Sequence, residues 1–183
     1  MHKLAVDVDG VIANFVDSML PHMNAFFESN FKREDIVCFD FHKAFGMPEE
    51  DFNRFWAYMK QNGLWGSIAP MPGAAKQLQL LSQALDLEYI TSRPAELQNT
   101  TLSWLDRHGF PEKSITMVKN KKDIIDEFDY FIDDRLEDCI GLAEIESVRR
   151  ILLFDAPWNQ CSELPEKIIR VKTWSEIDPD LFQ

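Results

Sequence analysis

Positive charge is what this sequence most lacks. Its 19 lysines and arginines stand against 31 acids, a net charge of −12 over 183 residues. That deficit argues against a broad cationic surface of the kind that grips long nucleic acids. A metal ion and a few local cations would still let such a protein handle a phosphorylated small molecule. Cysteine is scarce as well: Cys38, Cys139 and Cys161 are odd in number, widely spaced and form no CxxC pair. This excludes a disulfide framework and a cysteine zinc site, and it fits reduced thiols in a cytoplasm. The opening MHKLAVDVDG has no signal-peptide apolar run, and no later stretch is apolar for long enough to span a bilayer. Repeats and low-complexity segments are absent too. The expectation is a soluble cytoplasmic protein with no membrane partner, a monomer or homodimer. Its hydrophobic content of 45% suffices for one core domain with an inserted subdomain.

What is present is an alternation of short apolar runs with amphipathic stretches. LAVDV (4–8) reads as a buried strand, and NFVDSMLPHMNAFFESN after it has helical spacing, with Pro21 marking a kink or a restart. PEEDFNRFWAYMKQNG reads as a helix opening at Pro48 and closing at Gly63. From about Met71 helix and strand alternate strictly, through the strands LEYIT, SITMV, DYFIDD, RRILLFD and IIRV, with a short helix from Lys121. Such alternation predicts parallel βαβ crossovers, hence an α/β fold: a doubly wound, Rossmann-like parallel sheet. The roughly sixty residues after the first strand are too many for a plain connection. They read as an inserted helical cap, residues 15–70, on a core of residues 1–14 and 71–183. The cap holds most of the aromatics. Most of these should form its own core, while a few facing the ligand edge of the sheet would suit a planar ring.

Ligands in such sheets bind beyond the carboxyl ends of the strands, and here those ends carry reactive groups. The first ends in Asp7 and Asp9 before Gly10, which allows a sharp turn. LEYIT ends in Thr91, followed by Ser92 and Arg93; DYFIDD ends in Asp133 and Asp134; Lys119, Lys121 and Lys122 precede it. Each element has an ordinary reading as turn, cap or solvated charge. Their order is what argues for a site: acid pair, hydroxyl, lysine, acid pair. Carboxylates gathered without histidines or thiols form a hard oxygen-donor set suited to Mg²⁺ with a substrate phosphate. Asp7 is placed to attack phosphorus, and Asp9 to protonate the leaving oxygen and then activate water.

With these motifs in this order the chain resembles the haloacid dehalogenase (HAD) superfamily phosphatases. DVDGVIANF, PMPGA, YITSRP, FIDDR and LLFDAPWN make it similar to the 5'(3')-deoxyribonucleotidase family over nearly its whole length. The resemblance implies a Mg²⁺-dependent phosphomonoesterase acting on a nucleoside monophosphate through an aspartyl-phosphate on Asp7. It implies Asp9 as general acid and base, with its backbone carbonyl on the metal, and Asp7 and Asp134 as metal ligands with Asp133 behind them. Thr91 would bind phosphate, helped by Ser92, Arg93 and a lysine. Lys122 is the preferred lysine, with Lys119 and Lys121 open. Phe15, Phe41 and Trp65 would line the base pocket. The rival expectations are another small phosphomonoester such as a sugar phosphate, a nucleic-acid 3'-phosphate, or a non-catalytic binding module of the same fold.

Overall fold

A computed structural model describes residues 1–119, 121, 127–161 and 163–182. Within these, β1 (Lys3–Asp7), β2 (Asp86–Thr91), β3 (Ile115–Met117), β4 (Tyr130–Asp133), β5 (Arg150–Phe154) and β6 (Ile168–Val171) form one parallel sheet in the order β3-β2-β1-β4-β5-β6. The helices are α1 (Phe15–Phe27), α2 (Phe41–Ala44), α3 (Glu49–Gln61), α4 (Ala74–Leu81), α5 (Gln98–Arg107) and α6 (Leu136–Ala143). This is the doubly wound α/β arrangement that the alternation predicts.

The period-two pattern of the strands explains why both faces need cover. Leu4 and Val6 of β1 join Leu87, Tyr89 and Ile132 in one apolar cluster with Leu78 of α4 and Trp104 of α5. Ala5, between them, joins Ile90, Phe131 and Ile151 in a second cluster with Cys139 and Leu142 of α6. Each large apolar side chain buried this way contributes about 2 kcal/mol relative to exposure.

Between β1 and α4 the described chain holds helices and turns and no strand of the sheet. α3 opens with Glu49, Glu50 and Asp51, which complement its N-terminal dipole, and it buries Phe52, Phe55 and Met59. α1 runs through Pro21 as one helix, so the predicted restart does not occur. Buried Val16, Met19, Leu20 and Met23 hold both sides of the proline against the core. The segment leaves and rejoins the sheet at one place: Asn14 N donates to Ala69 O at 2.8 Å and Met71 N to Ile12 O at 2.7 Å. Trp104 Nε1 of α5 secures this junction by donating to Ile68 O at 2.6 Å. The short helix expected from Lys121 lies, beyond Lys121 itself, in residues outside the described set.

Candidate active site

The strand register assembles the site. Val6 pairs with Ile132, so Asp7 and Asp133 reach the same level at the end of β1 and β4. Asp7 pairs with Ile90, which sets Thr91 one residue beyond it on β2. After β1 the chain turns at Gly10, whose φ is +86° and whose N–H donates to Ala13 O at 2.9 Å. A Cβ on Gly10 would sit 2.0 Å from Asp134 Oδ2. Glycine is therefore required twice here, by the turn and by the acid beside it.

Asp7, Asp133 and Asp134 are all buried and offer carboxylate oxygens within 4.8 Å of one another. Lys121 Nζ lies among them, 2.8 Å from Asp7 Oδ1 and 2.5 Å from Asp133 Oδ2. The other oxygen of Asp133 accepts the backbone N–H groups of Asp134 and Arg135 at 2.9 and 3.0 Å. The Asp134 carboxylate accepts no hydrogen bond from any described residue. Its backbone carbonyl is held by Asn159 Nδ2 at 2.7 Å, which also binds Phe154 O.

Among the described residues, three carboxylates against one ammonium leave two negative charges without an ammonium or guanidinium bound to them. The titration behaviour reflects this. Burial, with the repulsion of Asp133 added, pushes Asp7 up to about 7 against the pull of Lys121. Burial and the charges of Asp7 and Asp133 hold Asp134 well above its ordinary value. Burial alone would lower Lys121, but Asp133 and Asp7 outweigh it and raise the ammonium further. Among the described residues, two uncompensated negative charges on a cluster of hard oxygen donors fit a divalent cation such as Mg²⁺.

Asp9 belongs to a separate pair. Arg93 Nε and Nη2 donate to its two oxygens at 2.8 and 2.6 Å. Arg93, expected as a phosphate helper, is thus engaged with Asp9 while it also lines the cavity. Its backbone N–H donates to Thr91 Oγ1 at 3.2 Å, leaving the threonine hydrogen free to donate elsewhere.

These groups open into a cavity of about 390 Å³, a size that suits a small ligand. Asp7, Asp9, Thr91, Ser92, Arg93, Lys121, Asp133 and Asp134 line it, as do Phe15, Phe41 and Trp65. All but one of the expected residues thus meet in one place. The exception, Lys122, lies outside the described residues. The lysine among the acids is its neighbour Lys121, one of the two alternatives, and Lys119 instead borders a groove beside β3. Among the lining residues that the sequence reading did not assign to the site are Trp56, Arg135 and Trp158. Trp56 of α3 lies 6.0 Å from the Phe15 ring, in the wall where Phe15 stacks on Trp65 at 5.3 Å. Arg135, over the Phe39 ring at 4.5 Å, and Trp158 border the β4–β5 side. Trp158 and the bracing Asn159 lie within LLFDAPWN, so a signal existed for both without a role attached to it.

Comparison with known proteins agrees with this geometry. The sequence model of the family described as 5' nucleotidase, deoxy (pyrimidine), cytosolic type C matches residues 1–182. A 5'(3')-deoxyribonucleotidase of Bacillus subtilis is 26% identical over 185 residues, covering 98% of each chain. A nucleotidase of Clostridium acetobutylicum is 23% identical over 179 residues, 96% of this chain and 91% of its own. Among solved structures, a Bacillus subtilis protein described as a HAD-hydrolase and bound to magnesium has the same fold, with a TM-score of 0.63 at 16% identity over 98% of each chain.

Proposed function

Because the chain belongs to the 5' nucleotidase, deoxy (pyrimidine), cytosolic type C family, and is thus a phosphoric monoester hydrolase of the 5'-nucleotidase type, we propose that it dephosphorylates nucleoside monophosphates, deoxyribonucleotides foremost, through an aspartyl-phosphate on Asp7. The observation that carries this reading is one cavity with a charge-deficient carboxylate cluster at one end and an aromatic wall at the other. Phosphate suits the first and a nucleobase ring the second.

In this mechanism an Asp7 oxygen attacks phosphorus while Asp9 gives its proton to the departing sugar oxygen. Asp9 then takes a proton from water, which attacks the phosphorylated Asp7 and releases inorganic phosphate. Lys121, against Asp7 at 2.8 Å, favours the ionised nucleophile and offsets charge on the phosphoryl oxygens. The Thr91 hydroxyl donates to one of those oxygens. Mg²⁺, held by the Asp7 and Asp134 carboxylates and the Asp9 backbone carbonyl, would supply the two missing charges and polarise the phosphoryl group. Asp133, with its oxygens engaged by Lys121 and two backbone N–H groups, orients that set. Residues 15–70 serve as a cap that shields the reaction from bulk water. The enzyme works in the cytoplasm as a monomer or homodimer; its described cysteines Cys38, Cys139 and Cys161 are all free thiols.

The test is turnover with added Mg²⁺ on deoxynucleotides, ribonucleotides, sugar phosphates and 3'-phosphorylated oligonucleotides. Nucleoside monophosphates should show the highest kcat/KM. Turnover of sugar phosphates alone would overturn the substrate class, and turnover of none would favour a binding module.

A further inference from the structure

We propose that Arg93 is a positioning residue that braces Asp9 for proton transfer rather than a ligand of the substrate phosphate. The inference deepens the phosphatase reading and rests on it. Asp9 sits on the loop that follows β1, its carboxylate about a quarter exposed. Two parallel hydrogen bonds from Arg93, Nε to Oδ2 at 2.8 Å and Nη2 to Oδ1 at 2.6 Å, fix both the position and the plane of that carboxylate. The third nitrogen is committed as well: Nη1 donates to Thr101 Oγ1 at 3.1 Å, and that hydroxyl donates onward to Leu97 O at 2.9 Å. Thr101 is fully buried and Arg93 nearly so. Three of the five guanidinium N–H groups are thus engaged, and those that hold Asp9 fix the side chain in place before any phosphate arrives.

One face of the guanidinium is covered too, by the Trp65 ring at 5.3 Å. Trp65 in turn stacks on Phe15 of the cavity wall. A single side chain from β2's trailing loop therefore touches both the acid that must move protons and the wall that would meet the base. A lysine could not replace it, since one ammonium cannot hold both oxygens in a fixed plane.

The experiment separates bracing from phosphate binding through the two halves of the reaction. With p-nitrophenyl phosphate, attack by Asp7 breaks the phosphorus–oxygen bond and p-nitrophenolate departs with the electron pair, needing no proton. The second half still needs Asp9 to take a proton from water as the bond from phosphorus to Asp7 breaks. Arg93→Ala, Arg93→Lys and Thr101→Val would be compared with wild type by rapid mixing and in steady state. For Arg93→Ala we expect a retained burst of one p-nitrophenolate per enzyme, kcat lower by about 100-fold and KM within about threefold. Free guanidinium should restore at least about tenfold of that kcat. Arg93→Lys should lie close to Arg93→Ala, and Thr101→Val, which loosens the brace without removing it, should lose a few fold in kcat.

A lost burst with KM raised tenfold or more would mean that Arg93 binds phosphate, and an unchanged kcat in both Arg93 variants would mean that Asp9 needs no brace. Either result overturns the inference while leaving the phosphatase reading intact. Wild-type protein that turns over no phosphomonoester with Mg²⁺ overturns both. Should Arg93→Ala fail to fold by circular dichroism, Arg93→Lys and Thr101→Val decide by the same split of kcat from KM.

Discussion

The carboxyl edge of the sheet and the helical segment above it are built on opposite principles. At the edge, polar atoms are held in specific directions: Asp133 is bound by Lys121 and two backbone N–H groups, Asp9 by Arg93, and the Asp134 backbone by Asn159. In the wall, Phe15 touches Phe41, Trp56 and Trp65 at centroid distances of 6.4, 6.0 and 5.3 Å, and no single contact is indispensable. Directional groups with buried charge fail all at once when one member is removed, because the partner left behind cannot be resolvated. Aromatic packing degrades in steps, since each ring shares its neighbours' burial. The chemistry should therefore be brittle and the selectivity graded.

The largest effect tests the brittle side. Asp7→Asn should lower turnover by about 10⁴-fold or more, because the amide cannot carry the phosphoryl group. The fold should remain, since Lys121 keeps Asp133 as its partner. Circular dichroism and a phosphate-release assay check both halves. Removal of metal by EDTA should silence the wild-type enzyme to a similar degree and reversibly on re-adding Mg²⁺. Substantial turnover by Asp7→Asn, or after chelation, would break the contrast at its strongest point.

Next comes Gly10→Ala. The added Cβ would meet Asp134 Oδ2 at 2.0 Å in a backbone conformation with φ of +86°. Something must shift, and either Asp134 or the turn carrying Asp9 would leave its place. A loss of about 100-fold in kcat is expected, with stability lower by about 1–3 kcal/mol. Denaturant melts and steady-state kinetics measure the two; Gly63→Ala, where the glycine is also at positive φ but has open space around it, is the control.

This site shows what a sequence discloses and what it withholds. Asp7, Thr91, Asp133 and Asp134 were legible because each ends an apolar run, and a parallel sheet brings such ends together whatever the intervening chain does. Lys121 was not separable from Lys122, since in the short helix that the sequence predicts there successive residues would point about 100° apart and the pattern alone does not set the phase. Arg93 was legible as a cation near phosphate but not as the partner of Asp9, 84 residues away in sequence, because nothing local encodes that pairing. Trp56 was one aromatic among many in residues 15–70. Which of them faces the cavity depends on how α3 docks, and composition does not specify docking. The alternation of helix and strand sufficed for the sheet, whereas the short α2 had no periodicity long enough to betray it.

The graded side is tested by Trp56→Ala. It should raise KM for nucleoside monophosphates by about tenfold, the low end of what stacking on one base contributes, while kcat/KM for glycerol phosphate changes by less than about twofold. Phe15→Ala should behave alike but lose stability too, because Phe15 is buried and Trp56 only half-buried. Equal losses on both substrates would mean that the wall supports the catalytic edge instead of the base, and the distinction between the two regions would have to be redrawn.

The smallest effect concerns charge at the edge in the metal-free protein. Burial raises Asp7 from its unfolded value of 3.8 to about 7, and Asp134 moves in the same direction. The folded protein thus holds these protons more tightly than the unfolded chain does. Stability must then fall as pH rises from about 4 to about 7, with no further loss from Asp7 above that window. Many exposed acids titrate over the same range, so the measurement should be a difference. In EDTA, the Tm of wild type relative to Asp7→Asn, whose amide cannot ionise, should drop by at least about 3 °C between pH 4 and pH 7. Added Mg²⁺ should remove the drop, because a divalent cation at the same oxygens favours their ionised form. Parallel curves in EDTA would mean that the carboxylates are already compensated, and the two missing charges on which a metal requirement was argued would not exist.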